Sequence, residues 1–221
     1  FRFKPTNFGP GSQFNTHSDG DGFIYVQNAQ AESGHVATPP IVTGYKNRIS
    51  NSNQLSQTTF WSESLSGIVK PGFEGYDGTH NAFLLQKENS WQNIQHDLVS
   101  NSPGPQTLSV YAKAGKSEGM VMRADLDGGQ QAEVRFQLRK GFVESYSGGQ
   151  RHSQIMTDVG NGWWRCEMRI NGTIDRFRIY PADSENGGAG VANASESIFI
   201  QYPQLEAGLE ATEYEDNLAY G

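Results

Sequence analysis

At 221 residues, with 35% hydrophobic and 19% charged positions, the chain has room for one large or two small domains around a modest core. Its 26 glycines and 11% aromatic residues suit many short strands joined by tight turns rather than helices. A net charge of -7 argues against a phosphate-gripping nucleic-acid binder, the single cysteine Cys166 rules out an internal disulfide framework and a cysteine-based zinc site, and no run approaches the ~18 apolar residues of a membrane-spanning helix.

Residues 1–3 read as a short strand, followed by a Gly/Ser/Asn/Asp-rich loop. Within it, His17-Ser18-Asp19-Gly20-Asp21-Gly22 has some of the look of a calcium loop, but the acidic pattern ending in glutamate is missing, so the stretch reads as an Asp-Gly turn. Residues 23–27 form a strand, and Pro39-Pro40 ends that segment and opens a linker. Residues 47–57 are polar and turn-rich. Strands are predicted near 65–70, 82–86 and 93–99, with a loop over 72–81 and a turn over 101–105. Leu108, Val110 and Ala112 then alternate with Ser109, Tyr111 and Lys113, and Met120, Met122 and Ala124 with Val121, Arg123 and Asp125, as half-buried strands do. Gly128-Gly129 marks a hairpin into residues 132–138, Lys140-Gly141 a turn into 142–146, and Gly148-Gly149 another turn.

Further on, Trp164, Cys166, Met168 and Ile170 share one strand face, and Trp163, Arg165, Glu167 and Arg169 share the other. Asn171-Gly172 carries the dipeptide of a two-residue type I′ hairpin, so the returning strand should lie alongside, with Phe177 and Ile179 inward and Arg176, Arg178 and Tyr180 outward. A Gly/Ala-rich loop over 183–197 leads to the last strand. No helical period persists for ten residues, and strand signals recur every 8 to 12, the spacing of a sandwich or barrel. The expected fold is all-β, an antiparallel jelly-roll-like β-sandwich over about residues 47–215.

The final strand and tail occur twice. With Val26 set against Ile200, the residues Gln27, Gln30, Glu32, Gly34, Ala37 and Thr38 fall on Gln201, Gln204, Glu206, Gly208, Ala211 and Thr212. Residues 1–43 are therefore expected to be the last strands of a preceding copy of the module plus a linker, and residues 44–221 a complete copy, so that the chain would be a piece of a longer tandem protein or a chain whose first half-module completes its sheets elsewhere. Two strands alone cannot bury a core, so the partial copy is expected to pair with strands from elsewhere. Glu206, repeated with turn-forming neighbours, is expected to accept backbone N–H bonds.

Four blocks in order carry a family resemblance: Tyr76-Asp77-Gly78-Thr79-His80-Asn81-Ala82, Leu108-Ser109-Val110-Tyr111-Ala112-Lys113-Ala114-Gly115, Asp158-Val159-Gly160-Asn161-Gly162-Trp163-Trp164-Arg165-Cys166, and residues 198–212 with their Gln204-Leu205-Glu206-Ala207-Gly208 centre. Together they resemble the carbohydrate-binding-module-like β-sandwich domains of bacteriophage virion proteins, found in tail fibres, tailspikes, and head fibres or decoration proteins. One departure is Tyr202-Pro203, where a small pair usually precedes the Gln-Leu-Glu centre. The resemblance implies a non-enzymatic component of the virion surface, assembled in the host cytoplasm. It implies other virion proteins as partners, homo-oligomers (trimers by family analogy), and a host-surface glycan as a possible ligand. Two alternatives stand beside host attachment: a cement or decoration module that binds capsid or tail neighbours and no sugar, and an accessory domain of a glycan-degrading tailspike.

Sugar recognition uses flat aromatic faces and planar polar groups. The candidate ligand-binding set is Trp163, Arg165, Glu167, Arg169, Arg176, Arg178 and Tyr180, a charged ladder on one sheet face with an exposed or half-covered tryptophan at its end. The competing reading of the same ladder is a solvated or inter-subunit face, and the competing reading of Trp163 is that it packs beneath a loop. Trp164, Trp61 and Trp91 are expected in cores, and Cys166 as an inert core thiol. No G-x-S-x-G elbow is present, the five histidines show no metal spacing, and no carboxylate pair stands out among 24 acidic residues, so neither a catalytic group, a metal nor a cofactor is expected.

Overall fold

The computed structural model describes residues 47–63, 68–87, 92–98, 103–148, 151–182 and 196–217. The expectations placed on residues 1–43, on Trp91 and on the 183–195 loop lie outside the described residues.

Twelve strands make up the described fold: β1 (Trp61–Glu63), β2 (Val69–Phe73), β3 (Ala82–Lys87), β4 (Ile94–Asp97), β5 (Pro105–Ala114), β6 (Gly119–Leu126), β7 (Gln131–Gln137), β8 (Phe142–Gly148), β9 (Arg151–Gly160), β10 (Trp163–Asn171), β11 (Ile174–Ala182) and β12 (Glu196–Ala207). They form two antiparallel six-stranded sheets. Sheet I has the order β1-β4-β11-β6-β7-β8 and sheet II the order β2-β3-β12-β5-β10-β9. The fold is thus the expected all-β antiparallel sandwich.

Strand alternation builds the core between the sheets. Sheet I contributes Ile94, Met120, Met122, Phe136, Phe177 and Ile179, and sheet II contributes Leu85, Leu108, Val110, Cys166, Met168, Ile170, Ile198, Ile200 and Leu205, all buried in one cluster. Trp61 joins it, and its indole N–H donates to the Asn51 carbonyl at 3.0 Å. Burying such side chains contributes roughly 1.5–3 kcal/mol each. Cys166 is fully buried, and burial pushes its thiol well above the usual range, which keeps it an unreactive core group.

Asn171-Gly172 does not close a hairpin. β10 pairs with β5 and β9 in sheet II, whereas β11 pairs with β4 and β6 in sheet I, so the chain crosses the sandwich between them. Neither Asn171 nor Gly172 takes the positive φ that a type I′ turn needs at both positions. Gly172 N instead donates to Gly104 O at 3.0 Å, tying the crossing to the start of β5. The type I′ hairpin sits ten residues earlier. β9, which the sequence pattern did not reveal, returns into β10 through Asn161 (φ 54) and Gly162 (φ 76), with Gly160 opposite Trp163. Both arrangements of β10 and β11 satisfy the apolar alternation, side by side or face to face. The second lets the two stripes bury each other.

A clasped aromatic face on sheet II

The outward face of sheet II carries a second apolar cluster, separate from the core. Register sets Trp163 opposite Lys113, Arg165 opposite Tyr111, and Gln201 opposite Tyr111 from the other side, so β10, β5 and β12 bring these side chains together. Trp163, Tyr111 and Ala82 are buried there, with Phe73, Tyr76, Val159, Phe199 and Tyr202 packed around them. Trp163 is therefore on the outer face, as alternation requires, but it is only 2% exposed and offers no open platform. Trp164 points the other way and is half-buried against the core.

Two segments border this face, and a third locks onto the second of them. The first is the loop between β2 and β3. Tyr76 stacks on Tyr111 with ring centroids 3.7 Å apart and planes 9° from parallel. Asp77 organises the turn, accepting from Thr79 N at 3.1 Å and Thr79 Oγ1 at 2.7 Å. Gln201, fully buried on β12, reaches into the loop: its Oε1 accepts from Tyr76 N at 3.0 Å, and its Nε2 donates to Asp77 Oδ1 at 3.1 Å. Gly75 lies against the Gln201 amide so closely that a Cβ there would collide with it. Desolvation pushes the Asp77 carboxyl up, but hydrogen bonds from Thr79, Gln201 and Tyr202 outweigh it and hold the group below the ordinary range.

The second segment is the tail after β12. The strand is interrupted between Gln201 and Gln204, where Tyr202 takes a positive φ of 53°. The unusual Tyr202-Pro203 pair thus forms a bulge, and Tyr202 stacks on Tyr214 of the tail at 4.0 Å and 10°. Glu206 accepts from Thr212 N at 3.0 Å, the backbone-accepting role expected of it. Gln204 Oε1 accepts from Glu215 N at 2.9 Å, and Arg165 donates to the Thr212 carbonyl while lying over the Tyr111 ring at 5.4 Å.

The third segment is the stretch before β1, locked to that tail. Asn47 is fully buried; its Oδ1 accepts from Ile49 N (3.0 Å) and Leu205 N (3.1 Å), and its Nδ2 donates to Ser52 Oγ at 2.8 Å. Asn217 Nδ2 donates to the Asn47 carbonyl, and Tyr214 shares a hydrogen bond with Ser52, both at 2.8 Å. Burial pushes the Tyr76 and Tyr214 phenols above the ordinary tyrosine range, so both rings stay neutral at physiological pH.

The expected ladder divides between two faces. Arg165, Glu167 and Arg169 lie on the outer face of sheet II, where Arg169 pairs with Glu167 at 3.0 Å. Arg176, Arg178 and Tyr180 lie on β11 in sheet I, on the opposite side of the sandwich. There the guanidiniums meet cross-strand carboxylates: Arg178 bridges Asp125 (2.8 Å) and Gln95 (3.1 Å), and Arg176 pairs with Asp97. Tyr180 is buried with Val121 and Ala182. The seven residues do not form one site, because the crossing at 171–173 separates them. Among the described residues, no group of three metal-ligating side chains gathers.

The clasp residues Tyr76, Asp77, Gln201, Tyr202 and Tyr214 were not singled out as a site by sequence. The signal was present in the blocks themselves, since each of the four supplies one wall.

No protein family matches the chain, and no curated protein does. Among solved structures, the chain is similar at 13% identity and a TM-score of 0.40 to the enzymatically active domain of tailspike protein 4 of bacteriophage CBA120, over 73% of this chain and 21% of that one. A sialidase matches at the same identity and score, over 74% and 19%. A carbohydrate-binding module that recognises mannan matches at 13% identity and a TM-score of 0.30, over 71% and 94%. A tripod from the baseplate of bacteriophage Tuc2009 matches at 13% and 0.31, over 79% and 66%. The chain spans about a fifth of the length of the tailspike and sialidase chains.

Proposed function

We propose that this chain is a non-enzymatic β-sandwich module of a bacteriophage virion protein, in the carbohydrate-binding-module-like class. Its place is the virion surface, where it binds other virion proteins and repeats as a homo-oligomer. The observation that carries the reading is the convergence of the four sequence blocks: Tyr76 stacks on Tyr111, Trp163 lies buried in the same cluster, and Gln201 holds the 75–79 loop. Residues spread over more than a hundred positions of sequence are thereby accounted for as parts of one clasp. This supports the sequence resemblance as one of construction. Within that class the structural role is favoured by the burial of Trp163, the aromatic expected to receive a sugar, which is 2% exposed within the outer cluster. The repeat extends the reading: the residues shared by 27–38 and 201–212 include Gln201, Gln204, Glu206 and Thr212, which close the clasp in the copy described, so a tandem partner module is part of the proposal.

Host-surface glycan attachment is the second reading. Phe142 favours it, as a large apolar side chain 45% exposed at the β7–β8 turn beside Gly141, which Trp164 contacts. The test is binding of the purified chain to host-cell polysaccharide and to phage particles lacking it. Reassociation with particles without polysaccharide binding supports the structural role. Polysaccharide binding abolished by Phe142→Ala supports attachment. Polysaccharide cleavage, or neither form of binding, would overturn the proposal.

A further inference from the structure

Two Asn-Gly pairs occur among the described residues, and the fold treats them differently. Asparagine before glycine is open to attack by the following backbone nitrogen on its own side-chain carbonyl, because glycine has no Cβ to hinder the ring closure. Asn161 and Asn171 are both exposed, so access to water does not distinguish them. The backbone does. Asn171 is paired with Pro105 in the β10–β5 ladder, and the attacking nitrogen, Gly172 N, is held by Gly104 O at 3.0 Å. Asn161 and Gly162 are instead the two loop residues of the β9–β10 hairpin, both at positive φ and both exposed. In such a loop the ladder bond uses the amide of the residue after the loop, here Trp163, so Gly162 N is outside the ladder.

We propose that Asn161 is a site of spontaneous deamidation in the folded protein and that Asn171 is protected by the crossing between the sheets. Gly162 N bonds to the Asn161 side-chain carbonyl carbon. The bond from that carbon to the side-chain nitrogen breaks, and ammonia leaves with the proton given up by Gly162. Water then opens the cyclic imide at one carbonyl to give aspartate, or at the other to give isoaspartate. The two products have different consequences. Aspartate-glycine is also a type I′ dipeptide, so the aspartate form keeps the hairpin. Isoaspartate adds a methylene to the backbone of a two-residue loop whose next residue, Trp163, enters the buried aromatic cluster.

The test is incubation of the full chain in mildly alkaline buffer, folded and in denaturing urea, followed by peptide mapping that separates aspartate from isoaspartate. The expected result is several-fold faster conversion at 161 than at 171 in the folded protein, with the difference lost in urea. Asn161→Asp should fold with unchanged thermal stability, and the isoaspartate fraction should show altered tryptophan emission. Equal or faster conversion at 171 in the folded protein, or no conversion at 161, would overturn the proposal.

Discussion

Gln201→Ala tests whether the clasp is a structural element. The side chain is fully buried and ties strand β12 to the loop over sheet II. Its removal leaves Tyr76 N without an acceptor, which costs about 1–3 kcal/mol when the donor stays buried. The bond to Asp77 adds less than about 1 kcal/mol, because that carboxylate is largely exposed and solvent replaces the donor. The space left against Gly75 adds a smaller packing loss. Together the expectation is a loss of about 1–4 kcal/mol, or roughly 2–16 °C in Tm for a domain of this size. The assay is urea and thermal unfolding followed by tryptophan fluorescence. Gln201→Glu is the control: it keeps an acceptor for Tyr76 N but sets a carboxylate against Asp77, so its deficit at neutral pH should shrink on mild acidification. A loss below about 1 kcal/mol for Gln201→Ala, or a pH-independent Gln201→Glu, would show that the loop rests on sheet II without this tether.

Three further outcomes follow from particular contacts. Trp163→Ala should cost about 3–5 kcal/mol by emptying the outer cluster, whereas Lys113→Ala opposite it should be nearly neutral; comparable urea midpoints for the two would contradict the burial of Trp163. Gly141 has φ +75 and Trp164 packs where its Cβ would be, so Gly141→Ala should cost at least about 1–2 kcal/mol in backbone strain and shift tryptophan emission. His96 is buried edge-on to Trp61 at 4.9 Å, and burial lowers its pKa against the opposing pull of the Ser50 backbone and Asp97. Its neutral form therefore stabilises the fold fully above the unfolded-state value of about 6.5, and that contribution is lost as pH falls from there through the lowered folded value. His96→Phe should flatten the decline in urea midpoint between neutral and mildly acidic pH, and an unchanged slope would remove His96 as its source.

The alternation in β5, β6 and β10 is enough to place Leu108, Val110, Met120, Met122, Cys166 and Met168 on the inward faces, because a strand's side chains alternate whatever it pairs with. The same rule separated Trp163 from Trp164 and left two readings of the outward one, exposed or packed beneath a loop, between which its 2% exposure decides for the second. It is buried in a cluster that includes Tyr76 of the β2–β3 loop, distant in sequence and without a periodic pattern. β9 is not legible in the sequence, because Ile155 and Met156 sit on opposite faces of an edge strand and are only half-buried, so no apolar stripe marks it.

What the sequence determined by itself was the all-β class, the inward faces of β5, β6, β10 and β11, and the backbone-accepting role of Glu206. All of these follow from local chemistry: alternation, glycine at turns, and a repeated pattern of polar groups that need partners. What only the tertiary structure decided was which strands pair. Asn161-Gly162 and Asn171-Gly172 are the same dipeptide, yet one is a hairpin and the other a crossing between sheets. A turn preference amounts to little beside the burial of two apolar stripes against each other, so packing chose the partner of β10 and, with it, divided Arg165, Glu167 and Arg169 from Arg176, Arg178 and Tyr180.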